Sequence, residues 1–106
     1  MFALNQTANF KFQVRVNTPL EAGGFREETF FAICERFTEE ERDELINTKY
    51  IEVLRKKMKG WEMQDHNRET IPFTPENFEA FLKISAAIAA TCQAYFKANM
   101  GAKEKN

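Results

Sequence analysis

Phe10, Phe12, Val14 and Val16 alternate without a break with Lys11, Gln13, Arg15 and Asn17. Successive side chains of a strand point to opposite faces, so this segment has one apolar and one polar face. A helix would scatter the same residues around its circumference. The alternation therefore predicts a half-buried strand over 10–17. Thr18-Pro19 ends it, because proline has no N–H for a ladder. Gly23-Gly24 then supplies a permissive turn.

A second strand is expected over Phe25–Glu35. Phe30, Ala32 and Cys34 share one face, Phe31 and Ile33 the other. Thr29–Cys34 is thus apolar on both sides and reads as a strand covered on both. Two strands joined by a short loop make an antiparallel hairpin. A lone hairpin is unstable in water, so helices must cover it.

Thr38 with Glu41 fits a capping box, which starts a helix at Glu39. Leu45, Ile46, Tyr50, Val53, Leu54, Met58 and Trp61 keep helical spacing, which carries the expected helix to about Lys59. Asn47-Thr48 is its weak point, and Gly60 is its expected stop. Acidic residues crowd its start, and Arg55, Lys56, Lys57 and Lys59 crowd its end. That order matches the helix dipole, so the cations read as a solvated helix end rather than a phosphate site. The polar stretch 61–73 leaves room for a short hairpin, with Glu62-Met63 facing Thr70-Ile71. Trp61 reads as an anchor of this connection, packed near Phe73.

Thr74-Pro75 is a second helix start, with Thr at the N-cap and Pro at the first helical position. Phe78, Phe81, Leu82 and Ile84 form its apolar stripe. Ser85 either caps a further helix, Ala86–Met100, or sits in a kink. Ala86, Ala87, Ala89, Ala90 and Ala94 leave a face that permits close helix approach. Gly101 ends the helix. Strands first and helices after is an α+β order: an N-terminal antiparallel hairpin covered by two or three α-helices. The expected core is Phe12, Val14, Phe30, Ala32, Leu54, Trp61, Phe78 and Leu82.

A chain of 106 residues is one domain, 1–106, with flexible ends expected at 1–9 and 102–106. Surface scaling gives about 6,100 Å² for a folded chain of this mass. Burying 11 Phe, with 1 Trp and 2 Tyr, in so small a body calls for a Phe-dense core or an interface with another chain. A net charge of −1 argues against nucleic-acid binding driven by overall charge. No apolar run reaches the length of a membrane span, and no secretion signal is expected.

The chemistry-bearing residues are few. Cys34 and Cys92 lie in a strand-like run and an Ala-rich helix, without a C-x-x-C, and read as buried thiols. His66 is the only imidazole, between Asp65 and Asn67 in a polar loop, with no Cys or second His at ligand spacing. The carboxylates of 39–44 share one exposed helix start and do not converge on a cleft. Gly23-Gly24 lacks the Lys-Ser/Thr of a phosphate loop and precedes a strand. Neither a catalytic site nor a cofactor or metal site is expected, and the chain reads as a non-enzyme.

Phe30-Phe31-Ala32-Ile33-Cys34-Glu35-Arg36-Phe37-Thr38 resembles the strand-into-helix segment of the phage tail assembly chaperone family, small proteins of long-tailed phages and prophages, and further similar segments follow in order and spacing. Gly60-Trp61-Glu62 is similar to its Gly-Trp-Glu-Gly-Val. Ile71-Pro72-Phe73-Thr74-Pro75-Glu76-Asn77-Phe78 is similar to its Leu-Pro-Phe-Thr-Pro-Glu-Asn-Leu. Ala94-Tyr95-Phe96 and Gly101-Ala102-Lys103-Glu104-Lys105-Asn106 resemble its ending. The resemblance covers about two-thirds of the chain. Departures are Cys34 in place of an aromatic, Met63-Gln64 in place of Gly-Val, and a shorter stretch between Glu44 and Tyr50.

The resemblance implies a non-catalytic protein of the host bacterial cytoplasm. It would bind the tape measure protein, keep it soluble and promote tail tube assembly. A frameshifted longer form would contact the tail tube protein, and Lys103–Asn106 would lie near the slippage site. It implies no cofactor, and the expected partners include neither nucleic acid nor membrane. The competing reading is a small nucleic-acid-binding or regulatory module of a prophage. Helices cover one face of a hairpin more easily than both, which places Phe31 and Ile33 at the surface as a partner and self-association site. Phe10 and Phe12 are further candidates, and the hairpin's free edge offers an added strand a place.

Overall fold

A computed structural model describes residues 1–102. The alternation at the start of the chain forms β1, Asn9–Pro19, and the second apolar run forms β2, Phe25–Glu35. They pair antiparallel in one register from Asn9↔Glu35 to Pro19↔Phe25. Gly23 and Gly24 close the turn at φ 93° and 76°, a region open to glycine at no steric cost. The Leu20 N–H donates to the Gly24 carbonyl at 3.1 Å across it.

The capping box at Thr38 is present in full, with the Glu41 N–H donating to Thr38 Oγ1 and the Thr38 N–H to Glu41 Oε1. It starts α1, Glu39–Ile46. The expected long helix breaks at its weak point. Asn47 Nδ2 and Thr48 Oγ1 donate to the carbonyls of Asp43 and Glu44, at 2.8 and 2.7 Å, which ends the first piece. The second piece is α2, Tyr50–Lys57.

Helical spacing does not carry the chain to Lys59 and Gly60 does not stop it. Instead Met58–Glu62 is a strand, β3, antiparallel to β2 through Ala32↔Trp61 and Ile33↔Gly60. Pairing with an open edge of β2 outweighs the local helix pattern, and the two-stranded hairpin becomes a sheet in the order β1-β2-β3. Past β3 the chain does turn back as a short hairpin, with the Ile71 N–H on the Met63 carbonyl at 2.8 Å and Gln64 bridged to Thr70.

Thr74 Oγ1 accepts the Asn77 N–H at 3.1 Å and Pro75 opens α3, Pro75–Phe81. A break at Leu82–Ile84 precedes α4, Ser85–Asn99. Ser85 is the first helical residue and not the cap, a position held by Ile84. Gly101, at φ 85°, closes α4 with two bonds back into its last turn, Gly101 N–H to Ala98 and Ala102 N–H to Lys97. The ending Lys103–Asn106 lies outside the described residues.

All helices lie on the face of the sheet that carries Phe12, Val14, Val16, Ala32, Cys34 and Trp61, all buried. Phe30 and Phe78, expected in the core, are half-buried at its margin. Two sets of rings fill this layer. Tyr95 meets Phe10, Phe12, Phe37 and Phe96 within 5.5–6.1 Å. Trp61 meets Phe73 at 4.8 Å and Phe81 at 5.4 Å, with Phe30 and Phe78 beyond them. The remaining phenylalanines, Phe2, Phe25 and Phe31, are exposed by 79, 70 and 39%. Eight of the eleven phenylalanines thus pack in or against the core, three of them buried.

The far half of the hairpin projects from the body, exposed from Asn17 to Thr29 except at Thr18. The chain accordingly shows 7840 Å² of surface, well above the roughly 6,100 Å² that its mass predicts. It extends 47 Å along its longest axis.

Candidate functional site

The first candidates from the sequence separate onto two faces. Phe31 and Ile33 sit on the uncovered face of the sheet, opposite Gln13 and Lys11. Phe31 is surface-exposed and Ile33 half-buried. The expectation that Thr29–Cys34 is covered on both sides fails, because α4 packs on the other face and leaves this one open. The open face is not a bare apolar patch. Lys11 Nζ lies 5.3 Å from the centre of the Phe31 ring and 3.3 Å from Glu62. Phe10 and Phe12 lie on the covered face. Phe12 is buried beneath Tyr95, so it is a core residue and not a surface contact, and Phe10 is half-buried under Arg36.

A large concavity lies where no single motif pointed, along the outer side of β1. α4 runs beside β1 in the opposite direction: Tyr95 meets Phe10 and Phe12, while Ala87 shares a cavity with Val16. Three hydrogen bonds pin its far end. The Tyr95 hydroxyl donates to the Glu35 carbonyl at 2.6 Å. Asn99 brackets the Phe37 peptide, accepting its N–H at 3.1 Å and donating to its carbonyl at 3.2 Å. Between helix and strand lies an open trough of about 980 Å³. One wall is Gln13, Arg15 and Asn17 of β1, and the other is Ala86, Ala89, Ala90, Gln93, Ala94, Lys97 and Ala98 of α4. Methyl side chains on the helix are what keep the trough open. Ala86, Ala90, Ala94 and Ala98 recur every fourth residue and stack along one side of the helix. The alanine face was legible as a close-approach surface, but its position over a strand edge was not.

A second cavity, of about 340 Å³, has an apolar floor of Val16, Phe30, Phe81 and Ile84 and a polar rim that includes Glu28 and His66. His66 stands exposed, its Nε2 3.1 Å from Arg26 Nη1 and 3.3 Å from Glu28 Oε2. It ties its loop to the projecting hairpin.

The cations at the end of α2 are engaged. Arg55 pairs with Glu79, Lys56 lies 3.8 Å from Glu44, and Lys59 donates to the Lys56 carbonyl. Lys57 is buried, with Glu35 at 3.0 Å and Glu41 at 2.9 Å. Burial works against its charge, but the hydrogen bonds to Glu41 and Glu35 outweigh that and hold its pKa above the ordinary 10.5. The same bond from Lys57, with the Thr38 N–H, holds Glu41 below its ordinary 4.5.

Burial pushes the thiols of Cys34 and Cys92 up to about 12, Cys34 with a further rise from its neighbour Cys92. Both stay protonated at neutral pH and present no thiolate. Among the described residues, no group of three His, Cys, Asp or Glu side chains is placed to hold a metal ion. Among them too, no helix is long and apolar enough to cross a membrane.

No protein-family model matches the chain, and no curated protein or solved structure matches it.

Proposed function

We propose that this chain is a non-catalytic tail assembly chaperone of a long-tailed phage or prophage. It binds the tape measure protein in the host bacterial cytoplasm, keeps it soluble and promotes assembly of the tail tube. The observation that carries this reading is the trough between α4 and β1, a long surface lined by methyl groups and by amide and cationic side chains. It is shaped to hold a chain segment rather than a small molecule. The resembling segments up to Phe96 give further support, because each fills a structural post in this fold. Thr38 and Thr74 cap helices, Trp61 anchors β3, and Tyr95 holds α4 on the sheet.

Self-association belongs to the same proposal, through Phe31 and Ile33 on the open face. So does a frameshifted longer form that contacts the tail tube protein. Sequencing the gene for an overlapping downstream frame tests that part.

Co-expression with the tape measure protein tests the whole. A tape measure protein that is soluble only beside this chain, and copurifies with it, supports the reading. One that stays insoluble beside abundant soluble chaperone overturns it. DNA binding that weakens steeply with salt would favour a nucleic-acid module instead.

A further inference from the structure

We propose that the trough takes its partner as an added β-strand, laid along the outer edge of β1, in which apolar and acidic residues alternate. This rests on the reading of the trough as a partner site and names the form that the partner takes there.

Among the described residues β1 is an outer strand of the sheet and pairs with β2 on one side only. Alternate residues therefore turn their N–H and C=O groups outward, along roughly 36 Å of edge. Such an edge recruits another chain unless it is blunted. Two of the usual devices are missing: the one proline, Pro19, stands at the strand's end, and the β1–β2 register runs through without a shift. The edge is long, regular and overhung by a helix of small side chains.

What fills that space must satisfy the edge. A helix laid there would strip water from the outward N–H and C=O groups and give them no partner, which is costly. A strand pairs with them. The inner side chains of that strand point at the alanine face of α4, where methyl groups leave room for larger apolar residues. Its outer side chains fall beside Gln13 and Arg15 on the open face. β1 and α4 together carry three cations, Lys11, Arg15 and Lys97, and no carboxylate. Glu62 of β3 and Glu27 of β2 offset Lys11 and Arg15, at 3.3 and 3.7 Å, and with Lys97 the balance of these charges stays at +1. The trough therefore favours Asp or Glu over Lys or Arg at the strand's outer positions.

Charge also speaks against a second copy as the occupant. An antiparallel β1–β1 pairing centred on Gln13 sets Lys11 of each chain opposite Arg15 of the other, and like charges directly opposite destabilise a pair.

The test uses a capped eight-residue peptide of alternating Val and Glu, with the same residues in two blocks as control. Amide exchange is read residue by residue on the full chain. The alternating peptide should slow every second amide of β1 about tenfold or more, and the block peptide should not. Arg15→Glu with Lys97→Glu should weaken the alternating peptide about tenfold and confer binding of a Val–Lys counterpart. Protection confined to α4, or no protection at saturating peptide, overturns the proposal. So does β1 protection that grows with protein concentration alone, which marks a second copy. Faster β1 exchange on removal of residues 103–106 does the same, because it makes the chain's own end the occupant. Tape measure solubilisation without a peptide effect removes the strand and leaves the chaperone reading. A peptide effect without solubilisation does the reverse.

Discussion

The sheet has two edges, and they are finished in opposite ways. β3 is five residues long. It runs straight into the Met63–Ile71 return, and its Trp61 indole donates to the Ile71 carbonyl at 2.8 Å. β1 is eleven residues long, and beside it stands a helix whose facing side chains are methyl groups. Trp61 packs against Phe73 and Phe81, whereas the alanines at 86, 90, 94 and 98 stand back. The contrast teaches where stability and association divide. Large rings seal the β3 side and hold the fold, and small side chains keep the β1 side open.

Substitutions on the sealed side should therefore cost stability first. The largest loss is expected from Trp61→Ala, about 3–5 kcal/mol in urea unfolding, with tape measure binding per folded molecule unchanged. Lost binding at unchanged stability would move Trp61 into the partner site. Lys57→Met should cost about 2 kcal/mol at neutral pH. The Glu35 and Glu41 carboxylates are partly exposed and rehydrate, so the loss falls below that of a fully buried pair.

The pH dependence follows from two of these groups, Glu41 and Lys57. The Glu41 contribution is complete above its ordinary 4.5 and is lost as pH falls through its lowered value. The Lys57 contribution is complete below 10.5 and is lost as pH rises through its raised value. Unfolding midpoints taken through both limits should show two losses in the native chain, whereas Lys57→Met should lack the alkaline one and keep a smaller acid one, because the Thr38 N–H still holds Glu41.

Substitutions on the uncovered face of the sheet, through which the chain is proposed to self-associate, should spare stability and remove association. Phe31→Lys with Ile33→Glu should cost about 1 kcal/mol, give a smaller particle by light scattering and abolish solubilisation of the tape measure protein. An unfolded double variant would place the pair in the core. Thr91 of α4 is fully buried, and among the described residues its hydroxyl has no hydrogen-bond partner. Thr91→Val should therefore raise stability by about 1 kcal/mol, read as a higher melting temperature. The smallest effect on stability, within about 0.5 kcal/mol, is expected from Arg15→Glu with Lys97→Glu, in a protein that no longer holds its partner.

Period-two alternation at Phe10–Val16 made β1 legible, because burial on one face leaves a one-residue record in the sequence. Thr38 and Thr74 were legible for a local reason: a cap is satisfied within four residues. β3 was not. Met58 to Trp61 continue a helical pattern, and only the edge of β2, some thirty residues earlier in the chain, draws them into a strand. The trough was half legible. The alanines declared a surface for close approach, but nothing local to α4 says that β1 runs beside it. Phe12 misled for a related reason, since an aromatic on a strand reads alike whether Tyr95 covers it or a partner does.

The most direct test of the account is amide exchange on the copurified complex of this chain with the tape measure protein. The account predicts that binding protects β1 and the alanine face of α4 and leaves β3 unchanged. Protection confined to β3 and the Met63–Ile71 return, with β1 exchanging as in the free chain, would contradict it.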